Sequence, residues 1–123
     1  MKFSSFVARR LRGSLLLFLG TLLSGTALAC GHSGSTDYCG PELIAQIYAP
    51  VSGDVYVQPS SSWTGNGVVC APISGKYALL PSSAPNFKQI YATLVSAKLS
   101  GYQVTMVMDR AQTQCTIAYI TLQ

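Results

Sequence analysis

This sequence predicts a small, mainly β domain with one helix, preceded by a segment that addresses the chain for export. Three observations carry that expectation. Helical periodicity appears once, after Asn86, and it passes into short runs rich in β-branched and aromatic residues. All four cysteines lie beyond residue 29. Before that point, cations and an apolar run follow one another in the order of a secretory signal.

Lys2, Arg9, Arg10 and Arg12 form the positive region, residues 15–23 the apolar region, and Ala27-Leu28-Ala29 a small-residue cleavage site ahead of Cys30. Residues 1–29 therefore read as a secretory signal peptide and residues 30–123 as a single domain, periplasmic or secreted. An uncleaved anchor and a lipoprotein acylated at Cys30 are the alternatives. The apolar run is short for a spanning helix. Ala27 also stands where a lipoprotein signal usually has Leu. Without the signal, Lys76, Lys88, Lys98 and Arg110 balance Asp37, Glu42, Asp54 and Asp109, although the whole chain carries +4. A neutral domain without clustered Lys and Arg has no footprint for nucleic acid. Once the signal is removed, nothing in it calls for a membrane.

A domain of under about 100 residues buries only roughly 60–65% of its unfolded surface and benefits from staples. Cys30, Cys39, Cys70 and Cys115 are an even set in an exported chain, which reads as two disulfides with three possible pairings. Cys30–Cys39 with Cys70–Cys115 is the favoured pairing. The first is local, and the second closes a loop of about 46 residues, worth about 4 kcal/mol by loop entropy. No C-x-x-C or C-x-x-H spacing supports a metal site.

Along the domain, residues 30–41 (CGHSGSTDYCGP) read as a loop held by its own disulfide, with His32, the only histidine, solvated. Residues 42–49 are the first strand: Leu43, Ala45, Ile47 and Ala49 alternate with polar neighbours, and Ile44 breaks the pattern. Ser52-Gly53-Asp54 turns the chain into a second strand at Val55-Tyr56-Val57, making a hairpin. Residues 58–67 are the longest loop. It holds Trp63, the only tryptophan, either as a stacking platform or folded back to cap the core. Residues 68–72 (VVCAP) are a third strand, Ser74-Gly75 a turn, and residues 76–80 a fourth strand or a continuation.

The helix follows. Asn86 is placed to cap it, with Gln89 completing a capping-box-like pair. Phe87, Ile90, Leu94 and Val95 face the core, while Lys88, Thr93 and Ser96 point away; the stripe ends at Lys98. Gly101 stops it. Residues 103–108 form the next strand, with Met106 and Met108 in the core. Residues 115–122 form the last, with Cys115, Ile117, Tyr119 and Thr121 on one face. One helix cannot cover both faces of such a sheet. The expected architecture is therefore an OB-fold-like, five-stranded Greek-key barrel with the helix between strands three and four, an open α+β sheet being the alternative.

The segment NFKQIYATLVSAKLSGYQVTMVMD, followed by Cys115 in the last strand, resembles the B subunits of subtilase-cytotoxin-like AB5 toxins and related small exported bacterial proteins. The resemblance implies an OB-fold barrel, a homo-pentameric ring with the helices lining a pore, and binding of sialylated glycans. In such a ring Lys88 would face the pore. The chain departs from the toxin pattern at the sugar site. The serine that holds the sugar carboxylate falls near Cys39-Gly40, and a second tyrosine falls on Met108, so sialic-acid recognition does not carry over.

No constellation for catalysis stands out. Asp37, Glu42, Asp54 and Asp109 are scattered, His32 has no evident partner, and no G-x-S-x-G motif occurs. The expectation is a non-enzymatic protein without cofactor or metal. Two function classes follow: a glycan-binding module using Trp63, Tyr38 and Tyr56, possible as a homo-oligomer, or a structural domain that docks a protein partner and takes no small ligand.

Overall fold

A computed structural model describes residues 30–123; the signal peptide expected over residues 1–29 lies outside the described residues. The strands are β1 (Cys30–Ser33), β2 (Thr36–Glu42), β3 (Gln46–Tyr48), β4 (Val55–Gln58), β5 (Ala78–Leu80), β6 (Val104–Asp109) and β7 (Thr116–Leu122). The helix α1 (Phe87–Ser100) lies between β5 and β6. All seven strands join one mixed sheet in the order β1-β2-β6-β7-β5-β4-β3, parallel only between β5 and β7. Among the described residues the class is mainly β with a single helix, as the sequence predicts. The sheet is not a closed barrel, because β1 and β3 remain edges, and it has seven strands where five were expected. The helix follows the fifth strand, not the third.

Two local outcomes explain the different count. The Gly- and Ser-rich start is a hairpin, not a loop. β1 pairs with β2, and β2 continues onto β6, placing Asp37 opposite Met108 and Cys39 opposite Met106. These long-range pairings outweigh the low β-propensity of the segment. Conversely, residues 68–72 make no strand, although Val68 and Val69 are β-branched. The backbone N–H groups of Val69 and Cys70 donate to Asp37 Oδ2 at 2.9 and 2.7 Å instead of to a neighbouring strand. Only Ala71 makes an isolated bridge, to Gln114. The expected hairpin around residue 52 is present, as β3 with β4. Its first strand is shorter than expected, because Glu42 belongs to β2.

Alternation places Val55 and Val57 of β4, Ala78 and Leu80 of β5, and Met106 and Met108 of β6 on one sheet face. That face carries the core. In β7 the pairing moves from Val107↔Tyr119 to Met108↔Ile117, leaving Ala118 as an extra residue. This bulge lets both Ile117 and Ile120 pack with the core and turns Tyr119 outward, against the strict alternation expected there. At Gly40 the φ is +129°, and a Cβ would collide with the Val104 carbonyl and lie 2.6 Å from Thr105 Cα, so β2 can pass β6 this closely only as glycine.

The helix closes the core face with Ile90, Leu94 and Ala97. Phe87 and Val95, expected to be buried, are half-buried, and Phe87 stacks on Tyr91 with centroids 6.0 Å apart. Lys88 and Ser96 are exposed. Thr93 is half-buried and donates its hydroxyl back to the Gln89 carbonyl at 2.8 Å. Asn86 makes no side-chain cap bond. Its backbone, at φ −105° and ψ 22°, is not in the extended conformation from which a capping side chain reaches the second and third N–H groups of a helix. Gly101 ends the helix in the left-handed conformation, as expected. Lys98 sits at the end of the stripe and donates to the Ile44 and Ala45 carbonyls at 3.1 and 3.0 Å.

Both disulfides form in the favoured pairing, Cys30–Cys39 and Cys70–Cys115. Among the described residues no helix is long and apolar enough to cross a membrane. The two disulfides are consistent with an extracellular or periplasmic setting.

Candidate functional site

With Val55 and Val57 turned into the core, Tyr56 faces the other side of the sheet. The β3–β4 register sets Tyr48 directly opposite it, with ring centroids 6.0 Å apart and planes tilted by 35°. On β5, Leu79 pairs with Tyr56, and Tyr77 lies two residues earlier on the same face. The Tyr77 ring meets Tyr56 edge-on, with centroids 6.4 Å apart at 70°. Edge-to-face and tilted aromatic contacts of this kind contribute about 0.5–1.5 kcal/mol beyond their burial. Tyr48 and Tyr56 on adjacent strands and Tyr77 immediately before β5 are thereby held in fixed relative positions.

Two turns build the remaining walls. The β3–β4 turn contributes Pro50 and Ser52. The turn before β5 contributes Ile73 and Ser74, and it is closed by reciprocal bonds between Ile73 and Tyr77, N–H to carbonyl, at 2.8 and 3.0 Å. Together with Tyr48, Tyr56 and Tyr77 they line a shallow cleft of about 380 Å³. None of the seven lining side chains is charged. The Tyr77 hydroxyl donates to Gln46 Oε1 at 3.1 Å, and the Lys76 ammonium sits 5.1 Å from the Tyr77 ring centroid at the rim, within cation–π range. The cleft thus offers aromatic faces, hydroxyl groups at its edge and no net charge of its own. That chemistry suits a neutral ligand with an apolar face and a polar rim.

Beside this turn, Asp54 Oδ1 accepts from the Ser82 N–H at 2.8 Å and from the Ser82 hydroxyl at 2.9 Å. The backbone donor first, then the hydroxyl, holds the Asp54 carboxyl below its ordinary range. The pair ties the β3–β4 hairpin to the linker that enters the helix. Elsewhere, Asp37 is wholly buried, and its second oxygen lies 3.7 Å from Arg110 Nε. This carboxylate clamps the segment that carries Cys70 and lies apart from the cleft residues. Among the described residues, no three His, Cys, Asp or Glu side chains come together as a metal-ligand group.

The residues singled out from the sequence are not brought together. Trp63 is 3% exposed and packs in the core, so its ring is unavailable as a surface platform; the loop has folded it inward. Tyr38 lies on β2, separated from β4 by β6, β7 and β5, and its ring covers Gly31 across the β1–β2 pair. Only Tyr56 belongs to the cleft. Tyr48 and Tyr77 went unnoticed beside it. The signal for Tyr48 was present: in a hairpin turning about Ser52, Tyr48 and Tyr56 fall opposite each other. Tyr77 offers no such signal, since its placement depends on how residues 58–76 return to the sheet. Comparison with protein-family models, with curated proteins and with solved structures finds no match for the chain.

Proposed function

We propose that this chain is an exported, non-enzymatic binding module whose ligand is a glycan received in the cleft between Tyr48, Tyr56 and Tyr77. The observation that carries the reading is the set of three tyrosine rings held by strand register around an uncharged, hydroxyl-edged cleft. A pyranose presents C–H groups on its face and hydroxyls around its rim, which complements ring faces bordered by hydroxyls. Tyrosine also provides rigid contact area with little side-chain entropy to lose. The toxin-like helix and strand motif suggests a homo-oligomer, a pentamer by resemblance. The test is a glycan array probed with wild type, Tyr56→Ala and Tyr38→Ala, each checked for native circular dichroism. Wild type is expected to be retained on a subset of glycans, Tyr56→Ala to lose at least about tenfold in affinity, and Tyr38→Ala to bind like wild type. A second reading, a protein-docking domain without small ligand, is favoured by Leu99 and Tyr102, 82% and 58% exposed at the end of the helix. An array without wild-type hits would favour it.

A further inference from the structure

The turn that forms one wall of the cleft contains an unfavourable residue. Its two central positions, Ser74 and Gly75, have φ of +52° and +73°, and the Ile73 carbonyl accepts the Lys76 N–H at 3.2 Å. Turns with both central residues left-handed are served by Gly, Asn or Asp, because a Cβ crowds the backbone there. Gly75 meets that requirement. Ser74 does not, and it is the only non-glycine residue with positive φ among the described residues. The flanking Ile73–Tyr77 bonds impose the conformation, so the strain is held by the surrounding structure. Ser74 is exposed and lines the cleft together with the three tyrosines. Glycine would relieve the backbone but remove the hydroxyl, a group that can donate and accept at once.

We infer that Ser74 is the specificity-determining residue of the cleft: its hydroxyl bonds to a ring hydroxyl of a pyranose seated against the tyrosines. The inference rests on the reading of this cleft as a glycan site. The turn fixes where the Ser74 Cβ stands before the sugar arrives, so its hydroxyl sweeps a small arc at the cleft wall, and a group restricted in advance discriminates between sugars that differ in the direction of one hydroxyl. The strained, exposed serine in the cleft wall is the observation that motivates this role.

The experiment uses methyl glycosides of glucose, galactose, mannose and N-acetylglucosamine, with their disaccharides, titrated by calorimetry against wild type, Ser74→Gly and Tyr56→Ala. Melting temperatures are measured in parallel. Ser74→Gly is expected to melt at the wild-type temperature or higher, to bind the tightest probe at least tenfold more weakly, and to lose the preference between epimers. Wild-type affinity and preference in Ser74→Gly, with binding abolished in Tyr56→Ala, would overturn the role of Ser74 and leave the glycan reading standing. A lowered melting temperature in Ser74→Gly would also overturn it, since the serine would then be stabilising the turn. If wild type binds none of these sugars, the glycan reading falls and this inference with it.

Discussion

At Asp37 a single carboxylate does the work of a missing strand. It is fully buried, and one oxygen takes the N–H groups of Val69 and Cys70. Removing it leaves those donors unpaired beside the core and takes away the carboxylate facing Arg110, which keeps its bond to the Gly34 carbonyl. Asp37→Ala should therefore destabilise by about 3–5 kcal/mol, whereas Asp37→Asn, which keeps an acceptor, should lose less; urea denaturation of the two variants measures the difference. Asp54 has a different signature. Its folded-state pKa lies below the ordinary 3.8 because the Ser82 N–H and hydroxyl bond to the charged form. A carboxyl depressed on folding contributes stability that is complete above its unfolded pKa and is lost as the pH falls through the folded one. The stability gap between wild type and Asp54→Asn is therefore expected to hold steady from neutral pH down to 3.8 and to shrink below it. A gap unchanged in strong acid would contradict the assignment.

Among the elements, the helix was the most legible and the ends of the sheet the least. Ile90 and Leu94 could be assigned to the core because helical spacing is a local property of the sequence. Ala97 was missed as a core residue, since a small side chain adds little to an apolar stripe. Leu94, at 0% exposure, should cost about 2–5 kcal/mol on truncation to alanine, and half-buried Phe87 about 1–2 kcal/mol, as read from shifts in urea midpoint. The strands at residues 30–42 were hidden for a physical reason. Gly31, Ser33 and Gly40 carry no β signal; β1 is held by pairing with β2, and β2 by pairing with β6, more than sixty positions away. The reverse error over residues 68–72 has the same origin, because a distant aspartate captured the Val69 and Cys70 donors. Of the cleft, Tyr56 was visible as an aromatic between two core valines. Its companions depend on register and on a turn conformation that a serine does not advertise.

At the scale of the whole molecule, the two disulfides differ in what they add. Cys30–Cys39 bridges residues already opposite each other in the β1–β2 ladder. Cys70–Cys115 joins a segment without regular strand to the start of β7, across a separation of 45 residues. Loop entropy alone separates the two bridges by about 1 kcal/mol. Cys39 is as buried as Cys115, and Cys30 packs against the core, so packing does not separate the bridges and the ranking rests on loop entropy. Cys70→Ala is thus expected to lower the melting temperature more than Cys30→Ala, and equal melting temperatures would refute the ranking.

That longer bridge also governs what a protease could do to this protein. Lys76 is exposed at the tip of the turn beside the cleft, where trypsin-like enzymes find a natural entry. A cut after it leaves Cys70 on one fragment and Cys115 on the other. The nicked protein would run as a single species until reduced, and only then part into two. The break would fall between Lys76 and Tyr77, in the wall of the cleft itself. Proteolysis at this point could therefore silence the binding face while leaving the body of the domain in one covalent piece.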